Sequence, residues 1–360
     1  MITDHSVLFQ PSDELSGIPD GSIDLIVTSP PYPMIAMWDT QFIQQDENIA
    51  AALAGNDGRA AWELMHRQLD RVWHASARVV RDGGFICINI GDATRTVDTT
   101  FRLFTNHARI ITAGEDLGLH SLPSILWRKP ANGPNKFMGS GMLPAGAYVT
   151  LEHEYILVFR KGEKRVFSKE EQFRRRESAF FWEERNAWFS DLWELRGKRQ
   201  GMSDSTARLR SAAFPFEIAF RLINMYSQMG DTVLDPFAGT GTTTIAAMAS
   251  ARNSISVEIE TAMAPVFADH VRAAGSTINQ RQIARLHQHN QFVAQIEGER
   301  GSVLPYHNEV LRCPVMTRQE QTLALPTVTA VSHPVPERYQ VTHETLHPGT
   351  PPGTTIHENW

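Results

Sequence analysis

The sequence predicts an α/β fold built on a parallel sheet, and three segments carry that prediction. Residues 23–27, Ile-Asp-Leu-Ile-Val, form an apolar run rich in β-branched residues, which is typical of a strand buried in a parallel sheet. Residues 232–235, Thr-Val-Leu-Asp, form a second such run, and a glycine turn and a helix start of small residues follow it. Residues 254–257 predict a third strand, which ends at the acidic Glu258.

A stiff turn made of Ser29, Pro30, Pro31 and Tyr32 follows the first predicted strand. The two prolines fix φ near about −65° and restrict the residue before them, so the turn has few conformations. Ligands of open α/β sheets bind outside the carboxyl ends of the strands, which is where this turn would lie. A surface polyproline ligand is the alternative interpretation of the motif, and its position directly after a buried strand argues against that.

The residue types in this turn suit chemistry on the exocyclic amine of a nucleobase. Such an amine is a poor nucleophile because its lone pair is delocalised into the ring. The Ser29 hydroxyl and the Pro30 carbonyl would accept the two amine hydrogens and favour a pyramidal nitrogen that can attack a methyl donor. Tyr32 would offer a planar face on which a flipped base can stack.

The glycine turn after the second predicted strand suits an adenosine-bearing cofactor. It lacks the lysine of a phosphate loop and the third glycine of the dinucleotide fingerprint. Glu258 lies 17 residues beyond the last glycine of the turn, near the usual position of an acid that binds a ribose hydroxyl; capping of the next helix is the alternative role. The turn consists of Asp235, Pro236, Phe237, Ala238, Gly239, Thr240, Gly241 and Thr242.

These two motifs resemble those of the amino-methyltransferases of DNA, which use S-adenosyl-L-methionine to methylate N4 of cytosine or N6 of adenine. The resemblance covers roughly residues 5–35 and 80–270. It implies a Rossmann-like methyltransferase fold, with Ser29 to Tyr32 as the catalytic turn and Phe214, Pro215, the glycine turn and Glu258 as the cofactor site. The further segments that resemble the family are residues 19–24, 83–92, 125–130, 153–159 and 214–217.

The order of the motifs resembles that of the circularly permuted class of the family, because the catalytic turn precedes the cofactor turn by 206 residues. In that class, target recognition lies between the two halves. We therefore expect four regions along the chain. These are a catalytic half at residues 1–130, a target-recognition insert at 131–207, the cofactor half of the same domain at 208–275, and a helix with a partly irregular tail rich in Pro, Thr and His at 276–360.

The residue at position 29 bears on the base that is methylated. Within the family, Ser before Pro-Pro-Tyr is typical of cytosine N4 enzymes, whereas Asp or Asn is more typical of adenine N6 enzymes. The resemblance thus implies methylation of cytosine N4 in duplex DNA by direct attack on a flipped base, in a restriction–modification system with a cognate endonuclease. Residues 33–39 also resemble those of methylases of CTAG sites. Asp13 fits the acidic position upstream of the family's catalytic loop only with a gap, so its participation stays open.

Three alternatives remain from the sequence. They are an adenine N6 enzyme on the same scaffold, a methyltransferase that acts on RNA or a protein amide, and a non-catalytic DNA-binding module. Cytosine C5 methylation would need a nucleophilic thiolate, but Cys87 lies in an apolar strand and Cys313 lies far from either motif. The two cysteines also provide neither a disulfide framework nor a zinc site, so no metal is expected.

Charge is distributed unevenly along the chain. The net charge is −6, yet residues 128–210 contain 17 Lys and Arg against 11 Asp and Glu. This basic excess could attract DNA phosphates, with a solvated surface as the alternative for each cluster. The sequence contains neither an apolar run long enough to span a membrane nor the features of a signal peptide, so a cytoplasmic protein is expected.

Overall fold

The computed structural model describes residues 1–129, 143–146, 148–196, 214–275, 277–349 and 355–356. The described strands are β1 (Ile2–Phe9), β2 (Ile23–Thr28), β3 (Val80–Ile90), β4 (Ala93–Val97), β5 (Thr100–Phe104), β6 (Leu119–Arg128), β7 (His153–Lys161), β8 (Leu192–Glu194), β9 (Thr232–Asp235), β10 (Asn253–Glu258), β11 (Tyr306–Asn308), β12 (Cys313–Val315), β13 (Pro326–Val335), β14 (Arg338–Thr345) and β15 (Thr355–Ile356). Within the described residues, eleven of these strands form one sheet, in the spatial order β15-β13-β14-β1-β10-β9-β2-β3-β7-β6-β8, and the other four form two small two-stranded sheets.

Helices cover the sheet and connect its strands. The described α-helices are α1 (Asp39–Gln45), α2 (Asn48–Ala54), α3 (Gly58–Val79), α4 (Asn106–Asp116), α5 (Lys169–Glu177), α6 (Trp182–Trp188), α7 (Phe216–Tyr226), α8 (Thr242–Ala249), α9 (Ala264–Gly275) and α10 (Gln280–Arg300). In the part of the chain that the structure describes, no helix is long and apolar enough to cross a membrane.

The centre of the sheet is parallel. β1, β10, β9, β2 and β3 pair in parallel, and β7 then runs antiparallel between β3 and β6. The three strands that the sequence predicts are confirmed as β2, β9 and β10, and β9 pairs directly with both of the others. Because they are parallel, their carboxyl ends meet at one edge of the sheet, which brings the two motifs together.

Each face of the central sheet has its own apolar core. In β2, Leu25 and Val27 pack with α7 and α8, whereas Ile26 packs with α3 on the other face. This alternation follows from the two-residue period of a strand and explains why the successive residues Leu25, Ile26 and Val27 are all apolar. The longest described helix, α3, places Trp62, Met65, Leu69, Val72 and Trp73 on one face at helical spacing, and those residues are buried in the second core.

The C-terminal region differs from the expectation of a partly irregular tail. β13 and β14 form a hairpin whose second strand pairs antiparallel with β1, where Thr3 lies opposite Val341. Tyr339, Val341 and His343 alternate with more exposed residues along β14 and are buried. The Pro, Thr and His content of the tail concealed this alternation, and the hairpin is stabilised by a distant edge strand that local sequence does not reveal.

Candidate active site

A cavity of about 920 Å³ opens at the carboxyl ends of the central parallel strands. Residues from both sequence motifs form its wall, although the motifs lie more than 200 positions apart in the chain. The predicted site residues that line it are Ser29, Pro30, Pro31, Tyr32, Phe214, Asp235, Pro236, Phe237, Ala238, Gly239, Thr242 and Glu258. The structure thus gathers the two motifs into one site.

Asp235 joins the two halves of the site. Its carboxylate accepts hydrogen bonds from the Thr28 hydroxyl at 2.6 Å and from the Thr243 hydroxyl at 2.7 Å. The amide of Phe237 also donates to it at 3.1 Å. Burial raises the pKa of Asp235 to about 6, although these three hydrogen bonds favour the charged form. Asp235 therefore holds the end of β2, the glycine turn and the start of α8 together.

The glycine turn leaves room for a ligand at the cavity. A side chain at Gly239, where φ is +51°, would meet no other atom within 4 Å, and the Gly239 amide donates to Glu258 at 2.8 Å. The second Glu258 oxygen accepts from the amide of Glu260 at 3.0 Å, so the carboxylate contacts the turn and also the start of the next helical segment. Burial raises the pKa of Glu258. A carboxylate with two such contacts retains acceptor capacity for a hydroxyl.

Three of the predicted cofactor residues lie outside the cavity wall and support it from behind. Pro215 precedes α7, and the Thr240 carbonyl accepts a hydrogen bond from His270 at 2.6 Å. Gly241 has φ of +81°, and a Cβ there would lie 2.6 Å from the ring of Phe267. Gly241 is thus required by a left-handed backbone and by close packing against α9.

The Ser29–Tyr32 turn is part of a polar network whose other members lie outside the two sequence motifs. The Tyr32 hydroxyl lies 3.1 Å from the Ser29 hydroxyl, donates to Glu154 at 2.9 Å and accepts from the Asn89 amide at 2.7 Å. Asn89 also donates to Glu154 at 2.7 Å, and Lys129 donates to the other Glu154 oxygen. Burial, and then the Glu154 charge, raise the pKa of Tyr32 well above its ordinary value.

Sequence reasoning missed Asn89, Lys129 and Glu154 as site residues. All three line the cavity, and all lie within or beside segments that resemble the family, but nothing in their spacing indicates that they meet. Asn89 lies near the end of β3 and Glu154 near the start of its antiparallel neighbour β7, so only the strand pairing brings them together. Asp13, which the sequence left open, also lines the cavity and forms an ion pair with Arg71 at 3.6 Å.

The basic residues around Arg165 lie away from this cavity. Arg165 is ion-paired with Asp231 at 2.7 Å and with Glu171 at 2.9 Å, and Lys161 donates to the Val80 carbonyl. Asp231 precedes the amino end of β9, so this cluster lies at the edge of the sheet opposite to the cavity. A second basic cluster, Arg174 to Arg176, lies in the last turn of α5. The basic residues at 197–199 and 208–210 lie outside the described residues.

The cysteines are not placed for thiolate chemistry. Cys87 is buried in β3, and burial raises its pKa; Cys313 is buried in a separate cluster near the C-terminus. Neither lines the cavity. Among the residues that the structure describes, no group of three or more His, Cys, Asp or Glu side chains could hold a metal ion.

Fold and site together define the class of protein, an α/β methyltransferase that depends on S-adenosyl-L-methionine. A solved structure of the Thermus thermophilus protein TTHA0409, in complex with S-adenosyl-L-methionine, matches with a TM-score of 0.59 and 30% sequence identity. That match covers 75% of this chain and 93% of the other. The chain belongs to the N6/N4 DNA methylase family, whose model, described as DNA methylase, matches residues 23–268.

Two curated relatives support this assignment over most of the chain. The Type II methyltransferase M.MthZI of Methanothermobacter thermautotrophicus is 47% identical over 328 residues, which are 90% of this chain and 91% of the relative. The Type II methyltransferase M.MjaI of Methanocaldococcus jannaschii is 45% identical over 284 residues, which are 75% of this chain and 91% of the relative. The family resemblance seen in the sequence is confirmed.

The two glycines of the turn should respond differently to substitution. Gly241→Ala forces a side chain into a left-handed backbone and against Phe267, so we expect the free energy of unfolding to fall by about 2–4 kcal/mol. Gly239→Ala introduces backbone strain without a steric clash, so its free energy of unfolding should fall by only about 1 kcal/mol. Denaturant unfolding of both variants measures this, and equal losses would contradict the packing role of Gly241.

The raised pKa of Asp235 predicts a pH-dependent stability. The folded-state pKa of about 6 lies above the ordinary value of 3.8, so on acidification the folded protein binds this proton before the unfolded chain does. The stability of the wild type relative to Asp235→Asn should therefore rise by up to about 3 kcal/mol as the pH falls from about 7 to about 4, and should be flat above that range. Denaturant unfolding of both proteins at several pH values tests this. A free energy of unfolding of the wild type that falls on acidification, relative to that of Asp235→Asn, would refute the raised pKa.

Proposed function

We propose that this protein methylates the exocyclic N4 amine of cytosine in duplex DNA, using S-adenosyl-L-methionine, as the modification enzyme of a type II restriction–modification system. One observation carries the proposal: the Ser29–Tyr32 turn and the glycine turn with Glu258 line the same cavity. An amine acceptor and a nucleoside-binding turn within one cavity are what methyl transfer from a nucleoside cofactor to a base requires.

The cofactor fits the glycine end of the cavity. Gly239 offers a backbone without steric obstruction, and Glu258 can accept a ribose hydroxyl. Thr242 also lines the cavity, and its hydroxyl is buried without a hydrogen-bond partner among the described residues. Phe214 adds an apolar surface to the wall. When bound, S-adenosyl-L-methionine supplies the electrophilic methyl group.

The residues of the turn would bind and orient the base. The Ser29 hydroxyl and the Pro30 carbonyl would accept the two amine hydrogens, which localises the lone pair on nitrogen as the bond to carbon forms. Tyr32 would stack on the base and help to offset the cost of flipping, which is a few kcal/mol. Direct attack by the amine requires no covalent enzyme intermediate, consistent with two buried cysteines that do not line the cavity.

Cytosine is favoured over adenine because Ser, rather than Asp or Asn, precedes Pro-Pro-Tyr. Adenine N6 methylation is the second candidate, since the same cavity and the same acceptors serve either amine. The family includes both activities.

Duplex DNA is the proposed substrate, and a cognate restriction endonuclease is the proposed genetic partner. The relatives M.MthZI and M.MjaI are both Type II methyltransferases. Lys129 lies two positions before the proposed insert and Phe214 seven positions after it, and both line the cavity, so both sequence ends of the insert lie near the site. We propose that target recognition lies within residues 131–207, outside β7, which pairs with β3 in the central sheet. We also propose the cytoplasm as the location of the protein.

Product analysis tests the assignment of the base. Purified protein is incubated with unmethylated genomic DNA and S-adenosyl-L-methionine, and the DNA is digested to nucleosides for mass spectrometry. We expect N4-methylcytosine. N6-methyladenine would overturn the base assignment alone, and no methylated base would overturn DNA methylation. A duplex that carries CTAG is the first defined substrate to test, because residues 33–39 resemble those of methylases of that site.

Substitutions in the catalytic turn should separate turnover from cofactor binding. Ser29→Ala should lower kcat by about 100-fold or more, and Tyr32→Ala by about 10- to 100-fold, because they remove an acceptor and a stacking face. Calorimetric titration should show unchanged affinity for S-adenosyl-L-methionine in both variants.

Ser332→Ala is the matched control for these variants. Ser332 lies on the C-terminal hairpin, its hydroxyl donates to the Gln340 carbonyl and it does not line the cavity, so this variant should keep full activity. Loss of cofactor affinity in Ser29→Ala would contradict the proposed division of the cavity.

A further inference from the structure

Glu154 occupies the centre of the polar network beneath the catalytic turn. One of its oxygens accepts from the Tyr32 hydroxyl at 2.9 Å and from the Asn89 amide at 2.7 Å. Its other oxygen accepts from Lys129, whose ammonium also lies 4.4 Å from the centre of the Trp127 ring. Glu154 is a largely buried carboxylate that three donors surround at the wall of the cavity.

The network has only one consistent direction. A carboxylate accepts and does not donate, so the Tyr32 hydroxyl must give its single hydrogen to Glu154. The Tyr32 oxygen can then only accept, and it accepts from Asn89 at 2.7 Å. In the remaining contact, 3.1 Å between the Ser29 and Tyr32 oxygens, the Ser29 hydroxyl must therefore be the donor and the Tyr32 oxygen the acceptor. With its hydrogen directed at Tyr32, Ser29 presents lone pairs to any other neighbour.

That direction is the one the proposed chemistry needs. A Ser29 hydroxyl that donated to the amine nitrogen would occupy the lone pair that must attack, whereas a hydroxyl that accepts an amine hydrogen leaves it free. We propose that Glu154 is a positioning residue that, through Tyr32, fixes Ser29 as an acceptor for the amine of the target base. This inference rests on the proposed function and adds to it the group that sets the polarity of the site.

The raised pKa of Tyr32 supports the same arrangement. Burial and the neighbouring Glu154 charge both disfavour the phenolate, so Tyr32 stays a donor to Glu154 and an acceptor from Ser29 in neutral solution. Asn89 adds to the network by donating to both the Tyr32 and the Glu154 oxygens, and its 3.5 Å approach to the Ser29 oxygen is a third, weaker contact.

Glu154→Gln tests the inference because it keeps the shape and allows the direction to reverse. The amide nitrogen that this substitution introduces could donate to Tyr32, which could then donate to Ser29. We expect kcat to fall by about 10- to 100-fold, on the scale of a hydrogen bond to a charged group, with unchanged affinity for S-adenosyl-L-methionine. Glu309→Gln is the matched control: Glu309 is an exposed carboxylate of the C-terminal region, pairs with His307 at 3.5 Å and does not line the cavity, so activity should be retained.

A double-mutant cycle distinguishes positioning from a general structural effect. Tyr32→Phe keeps the ring and removes the hydroxyl through which Glu154 acts, so it should itself lower kcat. Adding Glu154→Gln to Tyr32→Phe should then change kcat by less than about twofold. The cycle can be interpreted even if Glu154→Gln is less stable. The thermal unfolding temperature and the cofactor affinity of each variant are measured as well, so a loss of folded protein is not mistaken for a loss of kcat.

Three outcomes would overturn the inference. They are full activity of Glu154→Gln, full activity of Tyr32→Phe, and an equal loss from Glu154→Gln in both backgrounds, which would indicate a merely structural role. Each presupposes an active wild type. A wild-type protein that methylates no base would instead overturn the proposed function and this inference with it, so the two failures are distinguishable.

Discussion

The hydrogen bonds of the Asp235 carboxylate hold the active site together. Thr28 ends the strand that carries the catalytic turn, and Thr243 lies in the first turn of the helix after the glycine turn. Both hydroxyls donate to Asp235, and the Thr243 hydroxyl also lies 3.3 Å from the Val27 carbonyl. One buried side chain thus connects two stretches that the chain order separates by 207 positions. A circularly permuted order is compatible with a single site because β2 and β9 are neighbours in the sheet.

The cavity has two chemically different ends, and Asp235 connects the segments that form them. The glycine turn, Thr242 and Glu258 form an end with open backbone and free acceptors, which suits a nucleoside. Hydroxyl, amide, carboxylate and ammonium groups hydrogen-bond with one another at the other end, which is formed by Ser29, Tyr32, Asn89, Glu154 and Lys129. Because the hydrogen-bond direction is fixed by the carboxylate, the polar end is organised before a base arrives. Such preorganisation is the main way in which polar sites lower the barrier of a reaction.

Sequence reasoning predicted the parts of this protein that depend on local pattern. Strands such as Ile23–Thr28 are indicated by their apolar residues. The residue types in the Ser29–Tyr32 turn and in the glycine turn indicate which ligand groups each turn would bind. What escaped prediction depends on pairing between distant segments. Glu154 meets Tyr32 only because β7 turns back along β3, and β14 is a strand because β1 offers it an edge. Arg165 belongs to the stretch whose basic excess could attract DNA phosphates, but Asp24, Glu171 and Asp231 all pair with it.

The most direct test of the two-motif site is a crystal structure of the protein with S-adenosyl-L-methionine. We expect the ribose hydroxyls to contact Glu258, the adenosine to lie against the glycine turn, and the sulfonium methyl to face Ser29 and Tyr32. A cofactor bound elsewhere, or bound with its methyl group directed away from the catalytic turn, would contradict the central claim that the two motifs form one methyl-transfer site.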